Sequence, residues 1–177
     1  MNTLLPPIVE WPVAYRKLVG TFVAVALIGF LVGAVFLEVT THMTPEGVVT
    51  QYKGTSKAQM DQGGEMKFAK PVKDMLITTH NHILGLSTLF AVMAFLYLHA
   101  GGEVNTIKMS IAVEPLASLI LTFGGLWVVR FLWAPFVYVV IASGTLMILC
   151  FPWMSMVVLR DCLVGEGIRR DTIKSNR

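Results

Sequence analysis

Residues 109–159 read MSIAVEPLASLILTFGGLWVVRFLWAPFVYVVIASGTLMILCFPWMSMVVL, and the only charges in this stretch are Glu114 and Arg130. As one helix it would reach about 75 Å, more than twice the roughly 30 Å of a hydrocarbon core, so it must fold back on itself. The reversal is expected at Arg130-Phe131-Leu132-Trp133-Ala134-Pro135. There a charge, an interfacial Trp and a Pro that disfavours helix in the residue before it coincide. The stretch therefore supplies two membrane spans, at about 110–131 and 135–158.

Working outward, two further apolar runs at about 18–39 and 76–99 are also long enough to cross a bilayer. The sequence predicts an all-α, up-down-up-down four-helix membrane bundle forming one domain over 1–177. The composition agrees: the chain is 55% hydrophobic and only 14% charged, with a mean hydropathy of +0.68, against about 25% charge in ordinary soluble domains. The net charge of +3 is carried mostly by residues beside apolar runs, so it points to membrane-flanking charge and not to nucleic acid. The N-terminus, with Pro6, Pro7, Glu10 and Pro12 ahead of the first span, does not read as a cleaved secretory signal.

Residues 40–75 form a polar extramembrane loop, in which Thr44-Pro45-Glu46 offers an N-cap, a proline at N1 and an acid in the first turn of a short helix. The tail from 160 to 177 is polar and basic. Four spans place both termini and the 100–109 link on one side, with Arg16, Lys17, Lys108, Arg160, Arg169, Arg170, Lys174 and Arg177. The other side holds Lys53, Lys57, Lys67, Lys70, Lys73 and Arg130. Eight basic residues against six favour cytoplasmic termini, in a bacterial-type inner membrane. The two cysteines, Cys150 and Cys162, are about 18 Å apart on a helix, too far for a disulfide, and read as buried structural thiols.

The four histidines carry what chemistry the sequence offers, because imidazole is a common metal ligand and ionisable groups in a span are costly. His42 ends the first span, while His80 and His82 open the second at the same membrane face. His99 lies about 25 Å along the helix from His82, at the opposite face. If antiparallel neighbours pack side by side, His42 and His82 are the pair able to converge on one metal, with His80 nearby. Met43 and Met75 are softer alternatives. Haem fits this set better than zinc or copper, since neither thiols nor many carboxylates accompany the imidazoles. Glu38 and Arg130, at similar depth, are expected to pair, and Arg130 is also a candidate partner for a haem propionate. At the other face Glu114-Pro115 reads as a helix opening, and with His99 it offers a quinone pocket or proton entry. Gly29 and Gly33 form a small-xxx-small face open to close helix approach. The competing reading of each histidine is an interfacial group bonded to water, lipid or a backbone carbonyl.

The run Thr79-His80-Asn81-His82-Ile83-Leu84-Gly85 resembles the H-x-H-x-x-G element of haem- or copper-containing membrane proteins of respiration. The four-span layout is similar to the small b-type cytochrome subunits of electron-transfer complexes. The resemblance implies a relay or anchoring subunit, not an enzyme on its own, with one haem b on His42 and His82, a quinone nearby, and other membrane subunits and a periplasmic cytochrome as partners. Two-haem members carry a histidine pair at each face, whereas here His99 stands alone. The alternative is a cofactor-free accessory or scaffold subunit of a larger membrane complex. A transporter is disfavoured, because no span shows a run of central polar groups.

Overall fold

The longest apolar stretch folds back where its Arg-Trp-Pro segment predicts. In the computed structural model, which describes the backbone of residues 6–61 and 66–175 and the side chains of these except 58, 59 and 165–175, helix α5 spans Thr106–Phe131 and helix α6 spans Val137–Ser175. A 3-10 turn at Ala134–Phe136 joins them. Before them come a 3-10 turn at Ile8–Glu10 and helices α1 (Val13–Thr41), α2 (Pro45–Lys53), α3 (Lys57–Asp61) and α4 (Val72–Leu98). The described residues are helix, turn and coil, with no strand. Helices α1, α4 and α5 and the segment Ala134–Val164 are each long and apolar enough to span a membrane.

The α5–α6 hairpin is the densest interface, and its sequence explains why. Gly125 admits the neighbouring helix so closely that an added Cβ would lie 2.6 Å from Val140 Cγ2. One turn toward the termini, the hydroxyls of Thr122 and Ser143 bond across the helices at 2.8 Å. Helix α4 lies against both members of this hairpin. At mid-depth the rings of Phe30, Phe90 and Phe151 close the core, with centroids 4.5 Å apart for Phe30 and Phe151 and 5.5 Å for Phe90 and Phe151.

Helix α1 departs from the expected neighbour order. It packs along α6 and against α2, and meets α4 through Phe30 and Phe90, 6.1 Å apart. A short link would have forced α1 beside α4, but the long segment between them removes that constraint. The half of α1 nearer the termini follows α6: a Cβ added at Gly20 would lie 3.7 Å from Cys162 Cβ. The other half is bare, since from 31 to 39 every residue except Ala34 is exposed. Those nine residues turn through more than two helical turns, so the exposure covers all sides and not one stripe.

The loop between α1 and α4 is built as its sequence suggests. Thr44 Oγ1 accepts the Gly47 N–H at 3.0 Å, capping α2. His42 and Met43 turn the chain with φ of 51° and 48°. Thr55 N–H donates to the Lys67 carbonyl and Lys70 N–H to the Tyr52 carbonyl, so the two limbs of the loop are tied together. Burial raises the Tyr52 phenol above its ordinary range, which keeps it a neutral platform for the Lys70 ammonium 4.9 Å from the ring centroid.

Candidate functional site

The face of the bundle beneath this loop gathers His42, His80, His82 and Arg130. His82 stands three turns into α4. Its Nδ1 lies 2.8 Å from the Thr78 carbonyl, a pure acceptor, so Nδ1 carries the proton and Nε2 the lone pair. The ring stacks on Phe123 of α5 with centroids 4.7 Å apart and planes 28° from parallel. Backbone bond and aromatic face together fix the imidazole, the arrangement that commonly orients a metal-binding histidine. One turn further along, Gly85 has open space where a Cβ would stand.

His42 is the left-handed cap of α1 and is exposed. His80 is also exposed, on the side of α4 away from His82. The structure thus fixes the ring of His82 alone among these three histidines. It sets its ring against α5, whereas the His42 pairing assumed that α1 runs beside α4. Among the described residues no group of three or more His, Cys, Asp or Glu converges on one position.

Arg130 serves the loop. Its Nε donates to the Lys70 carbonyl at 3.1 Å and its guanidinium lies 4.7 Å from the Phe131 ring centroid, while Glu38 is exposed on the bare part of α1. The expected Glu38–Arg130 pair is replaced by this backbone bond. Close by, Trp127 Nε1 donates to Thr79 Oγ1 at 2.9 Å, tying α5 to α4. Trp127→Phe is expected to lower stability by about 1 kcal/mol, and Thr79→Val to add little on top of it. Thermal melts of the two single variants and the double variant check this, and additive losses would contradict the bond.

At mid-bundle, Glu114 is not a helix-opening residue. Helix α5 begins at Thr106, capped by Asn105 Oδ1, which accepts the Lys108 N–H at 2.9 Å. Glu114 and Pro115 therefore sit inside the helix. Ser118 donates to Glu114 Oε1, while Oε2 is buried with no hydrogen bond, beside the Cys150 thiol of α6. Glu114 also walls a groove of about 770 Å³ that runs along α5 from Val104 to Ala117.

His99, expected to join Glu114, is engaged elsewhere. Its Nδ1 bonds the Phe95 carbonyl at 2.8 Å, its own carbonyl accepts the Ile8 N–H at 3.0 Å, and its ring lies 6.5 Å from Trp11. At this end two cations escaped the sequence reading as structural parts. Lys108 is buried at 6% exposure and Arg16 at 3%. Lys108 Nζ donates to the carbonyls of Leu98, Ala100 and Gly102. The adjacent Gly101-Gly102 pair, whose positive φ curls these carbonyls inward, was the available signal.

No curated protein and no solved structure matches this chain. Residues 42–168, from the turn after α1 to within two turns of the end of α6, match the model of the family Aq_1264_TM, described as a transmembrane helical domain, and the chain belongs to that family.

Proposed function

We propose that this multi-pass membrane protein is a subunit of an electron-transfer assembly that relays or anchors and is not an enzyme on its own. The observation that carries the reading is the fixed His82 ring, with its Nε2 lone pair free of the backbone bond that holds the imidazole. In this reading His82 and His42 would hold one b-type haem. His80 stands at the same face, and Arg130 lies within the same end of the bundle as a propionate partner. A bound haem supplies one-electron chemistry. The chain's own residues orient the imidazole through Thr78, stack it on Phe123, and leave Gly85 clear for a flat group. A quinone, if one is used, has the groove beside Glu114. The lysines of the 40–75 loop are the surface for a periplasmic cytochrome.

A second reading, a cofactor-free scaffold subunit, is favoured by the bare stretch of α1 from 31 to 39, which invites cover from another membrane subunit. A reduced-minus-oxidised absorbance spectrum of the purified protein separates the two. An α-band lost in His82→Ala and in His42→Ala, yet kept in His99→Ala, is the expected result. A flat spectrum leaves the scaffold.

A further inference from the structure

Arg16 is the most deeply buried charge among the described residues, with 3% of its surface exposed, yet its Nε and Nη1 have no hydrogen-bond partner. Two unbonded guanidinium nitrogens held away from water are costly, which favours an acceptor drawn to this end from the membrane. The carboxylate of Asp161 accepts the Gly101 N–H at 2.8 Å and leaves the Arg16 Nε and Nη1 without a bond. Arg16 lies in the first turn of α1, whose cap Pro12 contributes no side-chain bond. Helical side chains lean toward the N-terminus, so the guanidinium is directed at an end where unbonded N–H groups carry partial positive charge. On the α6 side it stands against Cys162. The depth is that of lipid head groups: Trp11 precedes it by five positions, Tyr15 is 61% exposed, and Lys17 and Arg160 are exposed at the same end.

We propose that this end of α1 binds the phosphate of an anionic phospholipid, with the Arg16 fork as its centre and the α1 N-terminus and Lys17 beside it. The planar guanidinium suits two oxygens of a phosphodiester, and the basic surroundings select a net negative head group over a zwitterionic one. The site requires neither haem nor a partner subunit, so it stands or falls apart from the proposed function.

The test uses the full chain in nanodiscs of phosphatidylcholine, alone or mixed with phosphatidylglycerol, and in detergent with inorganic phosphate. The readouts are melting temperature and the lipid retained in native mass spectrometry. Wild type is expected to retain phosphatidylglycerol and melt higher with it than in phosphatidylcholine alone. Inorganic phosphate should give no comparable shift, and an equal shift would assign the site to free phosphate and overturn the lipid. Arg16→Gln is expected to weaken phosphatidylglycerol binding about tenfold, the loss of one charge-assisted contact, and Arg16→Lys to restore part of it. Glu166, one turn beyond Cys162 on α6, is the control, its side chain lying outside the described residues. If Glu166→Gln lowers the melting temperature as much as Arg16→Gln, and neither the variants nor wild type prefers phosphatidylglycerol, Arg16 is paired within the chain and the proposal fails. Should Arg16→Gln not fold, wild type and Arg16→Lys decide the matter, and no lipid preference in either overturns it.

Discussion

Gly47→Ala is expected to lower stability by about 3 kcal/mol and the melting temperature by roughly 6–12 °C. Gly47 is the third residue of α2, and α2 is pressed onto the end of α1. A Cβ at this position would lie 1.8 Å from the Thr41 carbonyl oxygen and 2.7 Å from its carbon. Both are backbone atoms, so no rotamer change relieves the overlap. The chain between must move, and that chain is the turn in which His42 and Met43 already hold positive φ. Moving it also breaks the Thr44 cap, whose hydroxyl accepts the Gly47 N–H. Damage should therefore centre on the loop, seen as faster proteolysis between 42 and 70 as well as a lower melt. Gly85→Ala is the matched control. Space is open around Gly85, and alanine is the better helix former, so that variant should be neutral or gain up to about 1 kcal/mol. Equal losses at both positions would show that close packing at Gly47 is not the cause.

The parts of this architecture that depend on local chemistry were legible in the sequence. Charge, Trp and Pro at 130–135 marked the hairpin between α5 and α6, and Thr44-Pro45-Glu46 marked the start of α2. What a hydropathy window misses is where helices begin. Counting apolar residues started the third span near 110, whereas Asn105 caps it at Thr106, and that shift moves Glu114 from the first turn to the helix interior. Long-range placement was less legible still. Nothing in the composition of α1 says that its Gly20 belongs against Cys162 and not against α4. The histidine pairing rested on that neighbour relation, while the Thr78 bond of His82 depends only on i−4 spacing within one helix. Lys108 and Arg16 were read as flanking charges, because side-chain burial at a bundle end is set by which loops fold over it.

Lys108→Met should cost about 2–3 kcal/mol, because it strips a charged donor from buried carbonyls and leaves them unsatisfied. The side chain closes the end of α4. A helix C-terminus carries partial negative charge and unbonded carbonyls, and Lys108 meets the last of them, Leu98, together with Ala100 and Gly102 of the turn that follows. Lys108 Nζ reaches Leu98 O at 3.3 Å and Gly102 O at 2.8 Å, with Ala100 O between them. Its ammonium also lies 5.6 Å from the centroid of the Tyr97 ring. Three donors on a tetrahedral nitrogen thus meet three converging carbonyls. Methionine keeps the length and apolar character of the stem while deleting every donor, so the loss reports the hydrogen bonds and charge and not the packing. Arginine keeps the charge but presents a planar fork that cannot address three carbonyls from one atom. Lys108→Arg should accordingly also destabilise, by less than methionine does. Heat or detergent unfolding of the three proteins gives the order. Hydrogen exchange gives the location, with protection lost from Leu96 to Gly102 and kept around His82. A methionine variant as stable as wild type would mean that the carbonyls of this turn find water or lipid at no cost, and that Lys108 does not hold α4 closed.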